Sequence, residues 1–169
     1  LYVFTNDYGI RSGHTDTLTD KDGGTDVINT SPIPFDTYVD LTPGSTTNTV
    51  NGKPLNIAKS TTIEDLYTGD GNDILLGNNV ANTMRSGRGD ETLHGSKGAD
   101  VLDGGPGVDT ADYSNSAGAI KVDLSKPTQK CTGGFAAGDT LANIENLFGS
   151  SGGDTITGTA GANVIEGRD

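Results

Sequence analysis

A nine-residue repeat of glycine-rich turns fills the middle of the chain. From Thr68 to Asp112, five frames follow one another without a gap: TGDGNDILL, GNNVANTMR, SGRGDETLH, GSKGADVLD and GGPGVDTAD. Glycine or another small or polar residue fills most of the first four places. The sixth place holds Asp73, Asn82, Glu91, Asp100 and Asp109, and the eighth holds Leu75, Met84, Leu93, Leu102 and Ala111. A fixed short period of this kind predicts a solenoid built by stacking repeats.

The residue types in each frame indicate a Ca²⁺ site. Ca²⁺ prefers roughly six to eight oxygen ligands, and glycine-rich turns can point several backbone carbonyls inward because glycine reaches φ > 0 without a clash. The sixth-place carboxylate adds negative charge, and the next three residues form a short strand with the eighth side chain inside. We therefore predict an all-β fold, a parallel β-roll that forms a Ca²⁺-bound right-handed solenoid, with each ion between frames i and i+2. The alternative, an ordinary loop-rich surface segment, does not account for five frames in phase.

The same phase recurs outside the central run. Residues 59–67 place Glu64 sixth, and residues 140–148 place Glu145 sixth, both without the glycines. Two further frames begin at Gly149 and Gly158 and place Asp154 and Asn163 sixth. An isolated early turn, DGGTDVIN, places Asp26 sixth. These positions extend the predicted roll in both directions.

A longer repeat of about 82 residues contains the nine-residue one. Asp26 matches Asp109 (109 − 26 = 83), and Glu64 matches Glu145 (145 − 64 = 81). We therefore predict two tandem β-roll units with inserted strand and loop segments. The N-terminal segment 1–23 is a strand and turn from a preceding unit, residues 24–106 form unit 1, and residues 107–169 form unit 2, truncated in mid-repeat. The inserted polar loops, 42–61 and 125–139, differ in length and content, as insertions on a binding face often do.

Composition favours a fold that depends on metal. The 169 residues include 26 glycines, only 31% are hydrophobic, and the formal net charge is −12, so a thick core is not available and the compact chain repels itself. The pairs of stacked frames allow at most about six Ca²⁺ ions. We expect folding to be coupled to Ca²⁺ binding, with a disordered metal-free state.

Several functions are disfavoured by the sequence. No apolar stretch is long enough to span a membrane, and no basic stripe is present to meet nucleic acid. The two histidines, His14 and His94, are far apart and lack a zinc-protease spacing, so we do not expect this chain to be an enzyme. His94, ninth in its frame, should face solvent. The single cysteine, Cys131, excludes an internal disulfide, and both ends read as cuts from a larger polypeptide.

The nonapeptide run resembles that of the repeats-in-toxin (RTX) proteins of Gram-negative bacteria. The stretch from DGGTDVINTS through TTIEDLYTGDGNDILLGNNVANTM is similar to the start of the C-terminal domain of serralysin-type zinc proteases. The resemblance covers most of residues 20–169. It implies Ca²⁺ as the cofactor, type I secretion and a secreted, extracellular or cell-surface location. Because the same modules are attached to many different proteins, it does not name the activity of the parent protein.

The resemblance also implies which residues bind the ions. In the family, carbonyls at the second and fourth turn places and the sixth-place carboxylate are ligands. The positions that match are Gly23, Gly24 and Asp26; Thr62 and Glu64; Gly69, Gly71 and Asp73; Asn78 and Asn82; Gly87, Gly89 and Glu91; Ser96, Gly98 and Asp100; Gly105, Gly107 and Asp109; and Glu145, Ser150, Gly152 and Asp154. Asn82 and Asn163 lack charge, Glu91 is longer than Asp, and Arg88 and Lys97 place cations in turns. We expect weaker or empty sites there.

Two functional hypotheses follow. In the first, the chain is a Ca²⁺-dependent structural or adhesive array within a large secreted protein. In the second, it is the folding and secretion module of an exoenzyme, most plausibly a serralysin-like zinc metalloprotease. Upstream sequence would discriminate them, since further units of about 82 residues favour the array and a His-Glu-x-x-His motif favours the protease. End-to-end self-association, because an open solenoid end is adhesive, and glycan contact through the variable loops are weaker possibilities.

Overall fold

The fold consists almost entirely of three-residue β-strands. A computed structural model of the chain describes residues 2–3, 16–20 and 23–168. Its strands are β1 (Tyr2–Val3), β2 (Asp16–Leu18), β3 (Val27–Asn29), β4 (Tyr38–Asp40), β5 (Asn48–Val50), β6 (Lys53–Ile57), β7 (Asp65–Tyr67), β8 (Ile74–Leu76), β9 (Thr83–Arg85), β10 (Thr92–His94), β11 (Val101–Asp103), β12 (Thr110–Asp112), β13 (Lys121–Asp123), β14 (Thr140–Ala142), β15 (Asn146–Phe148), β16 (Thr155–Thr157) and β17 (Ile165–Glu166). One 3₁₀ turn, Gly134–Ala136, lies in the second insertion. The predicted segment 1–23 and His14 fall largely outside the described residues.

Successive frames contribute strands to two sheets in alternation. One sheet has the order β1-β3-β7-β9-β11-β14, and the other has the order β17-β15-β12-β10-β8-β4-β5-β6-β2. Each central strand pairs in parallel with the strand of the frame two positions later, as β8 does with β10 and β10 with β12. The prediction of an all-β parallel roll with frame i stacked on frame i+2 is therefore confirmed. The strands are short because each frame supplies only three extended residues between turns.

In the central frames, the core between the two sheets consists of one inward side chain per frame. In each central strand the middle residue, eighth in its frame, is buried while its two neighbours point outward. Leu66, Leu75, Met84, Leu93, Leu102 and Ala111 are all 0% exposed. One fully buried apolar residue per nine makes the thin core that the sequence predicts. Stacked turns must therefore supply much of the remaining stabilisation.

Matching contacts recur along the chain at the spacing of the longer repeat. The pairing of Val39 with Leu75 in β4 and β8 has its counterpart in the pairing of Val122 with Ile156 in β13 and β16. The pairing of β3 with β7 corresponds in the same way to that of β12 with β15. The strands β13 and β16 form a separate two-stranded sheet. These recurrences support the predicted tandem organisation, whose unit boundaries stay a prediction.

The first insertion adds strands to a sheet, where the sequence analysis placed a variable polar loop. Strands β5 and β6 form an antiparallel hairpin, and β5 also pairs antiparallel with β4. Asn51 and Gly52 connect the two strands with φ angles of 52° and 67°. An Asn-Gly pair with positive φ at both residues is the strongest short-range signal for a hairpin, and it was present in the sequence. Directly after the second insertion, β14 pairs with β11 in parallel.

Two smaller expectations can be compared with the structure. His94, expected to face solvent, has a side chain only 23% exposed, with Nδ1 3.5 Å from a carboxylate oxygen of Asp112. The reason is that β10 pairs with β12, which brings the ninth places of the two frames together. In the described part of the chain, no helix has the length and hydropathy needed to cross a membrane.

Shortening a core side chain should destabilise the roll strongly. Leu93 is fully buried in the middle of β10, so Leu93→Ala should lower the free energy of unfolding by about 2–5 kcal/mol. Urea unfolding in saturating Ca²⁺ measures this. Val101→Ala is the matched control, because the Val101 side chain is 36% exposed on the outer face. An equal loss for the two variants would contradict a core of one inward side chain per frame.

Candidate metal-binding turns

The glycine-rich turns form two columns, one along each edge of the roll. Column one contains the turns 68–73, 86–91 and 104–109, and column two contains the turns 77–82 and 95–100. A methyl group added to Gly87 would collide with the carbonyl oxygen of Gly69, and one added to Gly107 would collide with that of Gly89. At Gly98 it would meet the carbonyl oxygen of Val80 at 2.5 Å. Only glycine lets successive turns approach so closely.

A ladder of hydrogen bonds from backbone to carboxylate joins the stacked turns. One oxygen of Asp109 accepts the N–H of Glu91 at 2.9 Å, and one oxygen of Asp100 accepts the N–H of Asn82 at 2.9 Å. The same rung is made by Asp73 to Thr37, Asp139 to Asp100, Glu145 to Asp109, Glu64 to Asp26 and Asp154 to Ile120. The sixth-place acid thus has a structural role that uses only half of its carboxylate.

In column one, the carboxylate oxygens that do not accept a backbone N–H have no other partner. Oδ2 of Asp73, both carboxylate oxygens of Glu91 and Oδ2 of Asp109 are buried without a hydrogen bond. The hydroxyl of Thr68, in the first of these turns, is also unpartnered. Among the described residues, every buried side-chain oxygen without a hydrogen bond lies in this column. Buried polar atoms are normally satisfied, so these oxygens are candidate ligands for a cation.

Burial raises the pKa of these carboxyl groups. It raises the pKa of Asp73 to about 6, despite hydrogen bonds that act in the opposite direction. Burial and then the neighbouring Asp109 carboxylate hold the pKa of Glu91 well above its ordinary value. The pKa of Asp109 is raised by burial and, to a smaller extent, by Glu145 and Asp90. Acids that are buried close to one another in this way are costly to ionise unless a positive charge lies between them.

The donors in column one match the preference of Ca²⁺ for oxygen. The added methyl group on Gly89 would meet both the carbonyl oxygen of Gly71 and Oε1 of Glu91, so these two oxygens lie close to one point. The described residues contain no cluster of three or more His, Cys, Asp or Glu side chains that could hold a metal. A metal here would therefore be held by backbone carbonyls together with one carboxylate from each turn. Hard oxygen donors of this mixed kind suit Ca²⁺ and do not suit Zn²⁺.

At the start of column two, side-chain amide groups occupy the space between stacked turns that would hold an ion in column one. Nδ2 of Asn82 donates to the carbonyls of Ile63 and Glu64 at 3.2 and 3.1 Å, and its Oδ1 accepts the N–H of Asn78. Nδ2 of Asn78 donates to the Ile63 carbonyl as well, at 2.7 Å. The carbonyls that would face an ion are thus already hydrogen-bonded to amide N–H groups. The sequence predicted a weaker or empty site here from the missing charge of Asn82.

A buried tyrosine closes the other end of column two. The Tyr113 hydroxyl donates to Asp139 at 2.7 Å, and its ring fills the space beside Gly95, where no side chain would fit. Ser96 donates to the carbonyl of Asn78 and to Asp100. Burial raises the pKa of Asp139 to about 7 and that of Asp100 to about 6. Neither Tyr113 nor Asp139 was singled out from the sequence, because Tyr113 comes directly after the last glycine-rich frame of the central run and Asp139 is the last residue of the second insertion.

The second run of turns is largely satisfied by its own side chains. Ser150 donates to both oxygens of Asp154 through its N–H and its hydroxyl. Despite partial burial, these hydrogen bonds and the one from Ile120 lower the pKa of Asp154. Gly152 lies against Ala119. Asn163 repeats the role of Asn82 by donating to the Glu145 carbonyl at 2.6 Å.

The remaining predicted positions lie at the ends of the columns or on their surface. Gly23 and Gly24 have positive φ angles, 66° and 117°, as the early turn requires. Thr62 is half-buried. The cation of Arg88, expected to weaken its turn, is paired with the exposed Asp70 at 2.7 Å. Lys97 is exposed. In column one, the structure therefore brings together predicted residues whose carboxylate oxygens are free to bind a metal. In column two, the predicted residues form hydrogen bonds with one another.

An outer ladder of fifth-place side chains was missed by the sequence analysis. Asp36 accepts the N–H of Asn72 at 2.8 Å, Asn72 accepts that of Asp90 at 2.9 Å, and Asp90 accepts that of Val108 at 3.0 Å. All of these side chains are exposed. Asp or Asn at the fifth place, followed by a sixth-place residue, was the available signal. The outer ladder thus gives Asp36 and Asp90, which are exposed, a structural role.

Without Ca²⁺, the protein should become more stable as the pH is lowered. Asp73 and Asp100 have folded-state pKa values of about 6, and Asp139 of about 7, against an ordinary value of 3.8. A raised pKa favours the folded state fully below the ordinary value, and this contribution is lost as the pH rises through 6 to 7. Far-UV circular dichroism of the metal-free protein between pH 5 and pH 8 measures the change, and β-structure should increase towards pH 5. An increase of β-structure towards pH 8 would contradict it.

Asn82→Asp should replace the amide hydrogen bonds at the start of column two with a Ca²⁺ site. The change removes the donors to Ile63 and Glu64, which costs the folded state about 1–3 kcal/mol that a bound Ca²⁺ must offset. Calorimetric titration should then find one more Ca²⁺ per chain than in the wild type. Asn72→Asp is the control, because its retained oxygen can still accept the N–H of Asp90. An unchanged Ca²⁺ count in Asn82→Asp would contradict the assignment.

Comparison with known families agrees with this geometry. The family model of the RTX calcium-binding nonapeptide repeat matches residues 65–84, 85–114 and 144–169, with four copies of the repeat. A search of curated proteins found no match. The matched residues include the turns of both columns and the second run of turns. Residues 65–114 and 144–169 therefore match RTX calcium-binding nonapeptide repeats, and they lie in an all-β roll of parallel strands.

Proposed function

We propose that this chain is a structural module of a larger secreted protein that folds when it binds extracellular Ca²⁺. The observation that carries the proposal is the set of unpaired, buried carboxylate oxygens in column one. RTX nonapeptide repeats bind Ca²⁺, and a net charge of −12 opposes compaction until cations are bound. Ca²⁺ supplies positive charge and accepts oxygen ligands. The module would thus stay unfolded where Ca²⁺ is scarce and fold where it is plentiful.

Column one would hold the principal ions. Gly71, Asp73 and Glu91 would contribute to a site between the turns 68–73 and 86–91. Gly89, Glu91 and Asp109 would contribute to a site between the turns 86–91 and 104–109. In each case the free carboxylate oxygens and the stacked carbonyls supply the donors, while the other carboxylate oxygen of each aspartate keeps its backbone rung. The remaining predicted ligands in these turns are Gly69, Gly87, Gly105 and Gly107.

Column two and the second run would contribute less to Ca²⁺ binding. The donors of Asn78 and Asn82 satisfy the carbonyls that face them, and Ser150 satisfies Asp154. The sites predicted from Thr62, Glu64, Ser96, Gly98, Asp100, Glu145, Ser150 and Gly152 would accordingly be weaker. The number of strongly bound ions would then be well below the upper bound of about six.

We favour an array within the parent protein over a secretion module of an exoenzyme. The recurrence of the β4–β8 pairing as the β13–β16 pairing supports a tandem architecture. A stack of such units, stiffened by ions, would act as an extracellular spacer or adhesive rod. The serralysin-like alternative is supported by the lead-in, where Glu64 accepts the N–H of Asp26 at 2.7 Å. Sequencing of the flanking regions for further units or for a His-Glu-x-x-His motif would distinguish the two.

A circular dichroism titration from EGTA to millimolar Ca²⁺ tests the proposal. We expect a cooperative transition from coil to β-structure that Mg²⁺ does not produce. Asp109→Asn keeps the acceptor for Glu91 but removes a charged oxygen, so its Ca²⁺ midpoint should rise by about tenfold. Asp65→Asn is the control, because Asp65 begins β7 outside the turn columns and should keep the wild-type midpoint. β-structure in EGTA that Ca²⁺ leaves unchanged would refute the proposal.

A further inference from the structure

We propose that a lysine-lined cavity on the second insertion binds a small ligand that carries an oxyanion group. The cavity has a volume of about 320 Å³ and lies between β13, β16 and the chain segment 126–132. Lys121, Lys126 and Lys130 line it, together with Gln129. It is separate from the turn columns and is not accounted for by Ca²⁺ binding. The proposal goes beyond the calcium-dependent function and requires only the folded roll.

The floor of the cavity is the outer face of the two-stranded sheet. Lys121 pairs in register with Thr155, and Asp123 pairs with Thr157. These four residues alternate with Val122 and Ile156, which face the interior, so their side chains share the outer face. Val122 is buried beneath them. The floor therefore presents one ammonium group, two hydroxyl groups and the carboxylate of Asp123, which is paired with Lys126 and Ser125.

The wall of the cavity is held in place by backbone hydrogen bonds. Lys121 and Thr132 exchange two N–H to carbonyl bonds, of 2.7 and 3.1 Å. Gln129 donates its N–H to the carbonyl of Lys126 at 2.9 Å, and Lys126 donates its own to that of Asp123 at 3.2 Å. Because the segment is fixed at both ends and within its turn, the cavity is formed before any ligand arrives. Pre-formed concave sites are typical of small-molecule binding.

The cavity concentrates positive charge in an acidic chain. Lysine and arginine together number 11 in the sequence, against 23 acidic residues, and three of the lysines line this one cavity. Lys126 pairs with Asp123 at 3.0 Å. In the described parts of the chain, no ion pair is formed by Lys121 or Lys130. Two ammonium groups that form no ion pair in the described parts of the chain thus line the same cavity.

The fold itself does not require these lysines. At the equivalent place in the first half of the chain, β4 and β8 present Tyr38, Asp40, Ile74 and Leu76. There the inserted strand β5 pairs directly with β4, and the roll closes without any basic residue at these positions. The same backbone arrangement is therefore compatible with an uncharged or acidic outer face. The lysines and threonines of the second half are a feature that folding alone does not explain.

The shape and lining indicate the class of ligand. A volume of about 320 Å³ is at the lower end of small-molecule sites, which span roughly 300–1,000 Å³. Lysine ammonium groups are compact point charges that bind carboxylate, sulfate or phosphate oxygens, and the threonine hydroxyls and the Gln129 amide can bind neighbouring hydroxyl groups. The ligand is thus an oxyanion, either free or as part of an acidic sugar residue.

Nuclear magnetic resonance titration of the Ca²⁺-loaded full chain tests the proposal. The probes are sodium glucuronate, sodium sulfate and, as the neutral control, glucose. We expect saturable amide shifts at Gln129, Thr155 and Thr157 with at least one anion and none with glucose. Replacing both free lysines (Lys121→Gln with Lys130→Gln) should weaken binding about tenfold. Lys53→Gln, on the exposed part of β6, should leave the affinity unchanged.

Each outcome of the titration is decisive. Binding of glucuronate but not of sulfate identifies an acidic saccharide residue as the ligand, and equal binding of the two identifies the oxyanion alone. The absence of saturable shifts with both anions overturns the proposal, as does wild-type affinity in the double lysine variant. Because Ca²⁺ saturation and far-UV spectra are checked first for every variant, a failure here is distinguishable from a failure of calcium-dependent folding.

Discussion

The close stacking of glycine turns is the constraint on which the rest of this structure depends. Turns related by two frames approach until the carbonyl oxygen of one lies where a side chain of the next would begin, as Gly69 does beneath Gly87. This approach lets the sixth-place carboxylate accept a backbone N–H from the neighbouring turn. It also gathers carbonyl and carboxylate oxygens that repel one another. The roll therefore needs a positive or hydrogen-bond-donating group between its turns at every level.

The two edges meet this need in different ways. In column one the oxygens of Asp73, Glu91 and Asp109 are left for a cation. In column two the same need is met within the chain, by the amide of Asn82 at one end and the hydroxyl of Tyr113 at the other. The hydrogen bonds of column two would keep part of the turn stacking independent of Ca²⁺, while folding of the whole roll would still require the metal. One inward core residue per frame is too little to replace either the cation sites or these hydrogen bonds.

Much of this arrangement could be predicted from the sequence, because the nine-residue period fixes three things together. It places the strand, the inward side chain and the turn acid, so Leu93 in the core and Asp109 in the turn were both located correctly. The period carries no information on the insertions, where Asn51 and Gly52 start a hairpin and Asp139 extends the ladder from outside the phase. The period also does not show that Asn82 donates hydrogen bonds to carbonyls. An asparagine and an aspartate fit the sixth place equally well, and only the amide carries N–H groups. The lysine cavity depends on pairing between β13 and β16, residues far apart in the chain.

A crystal structure of the protein grown in Ca²⁺, with anomalous scattering used to locate the ions, tests the central claim most directly. The account predicts ions between the turns 68–73 and 86–91 and between the turns 86–91 and 104–109. It predicts no ion between residues 59–64 and 77–82, where Asn82 donates to the facing carbonyls. Equal occupancy of both edges, or an ion beside Asn82 with column one empty, would contradict the division of the roll into a metal-held edge and an amide-held edge.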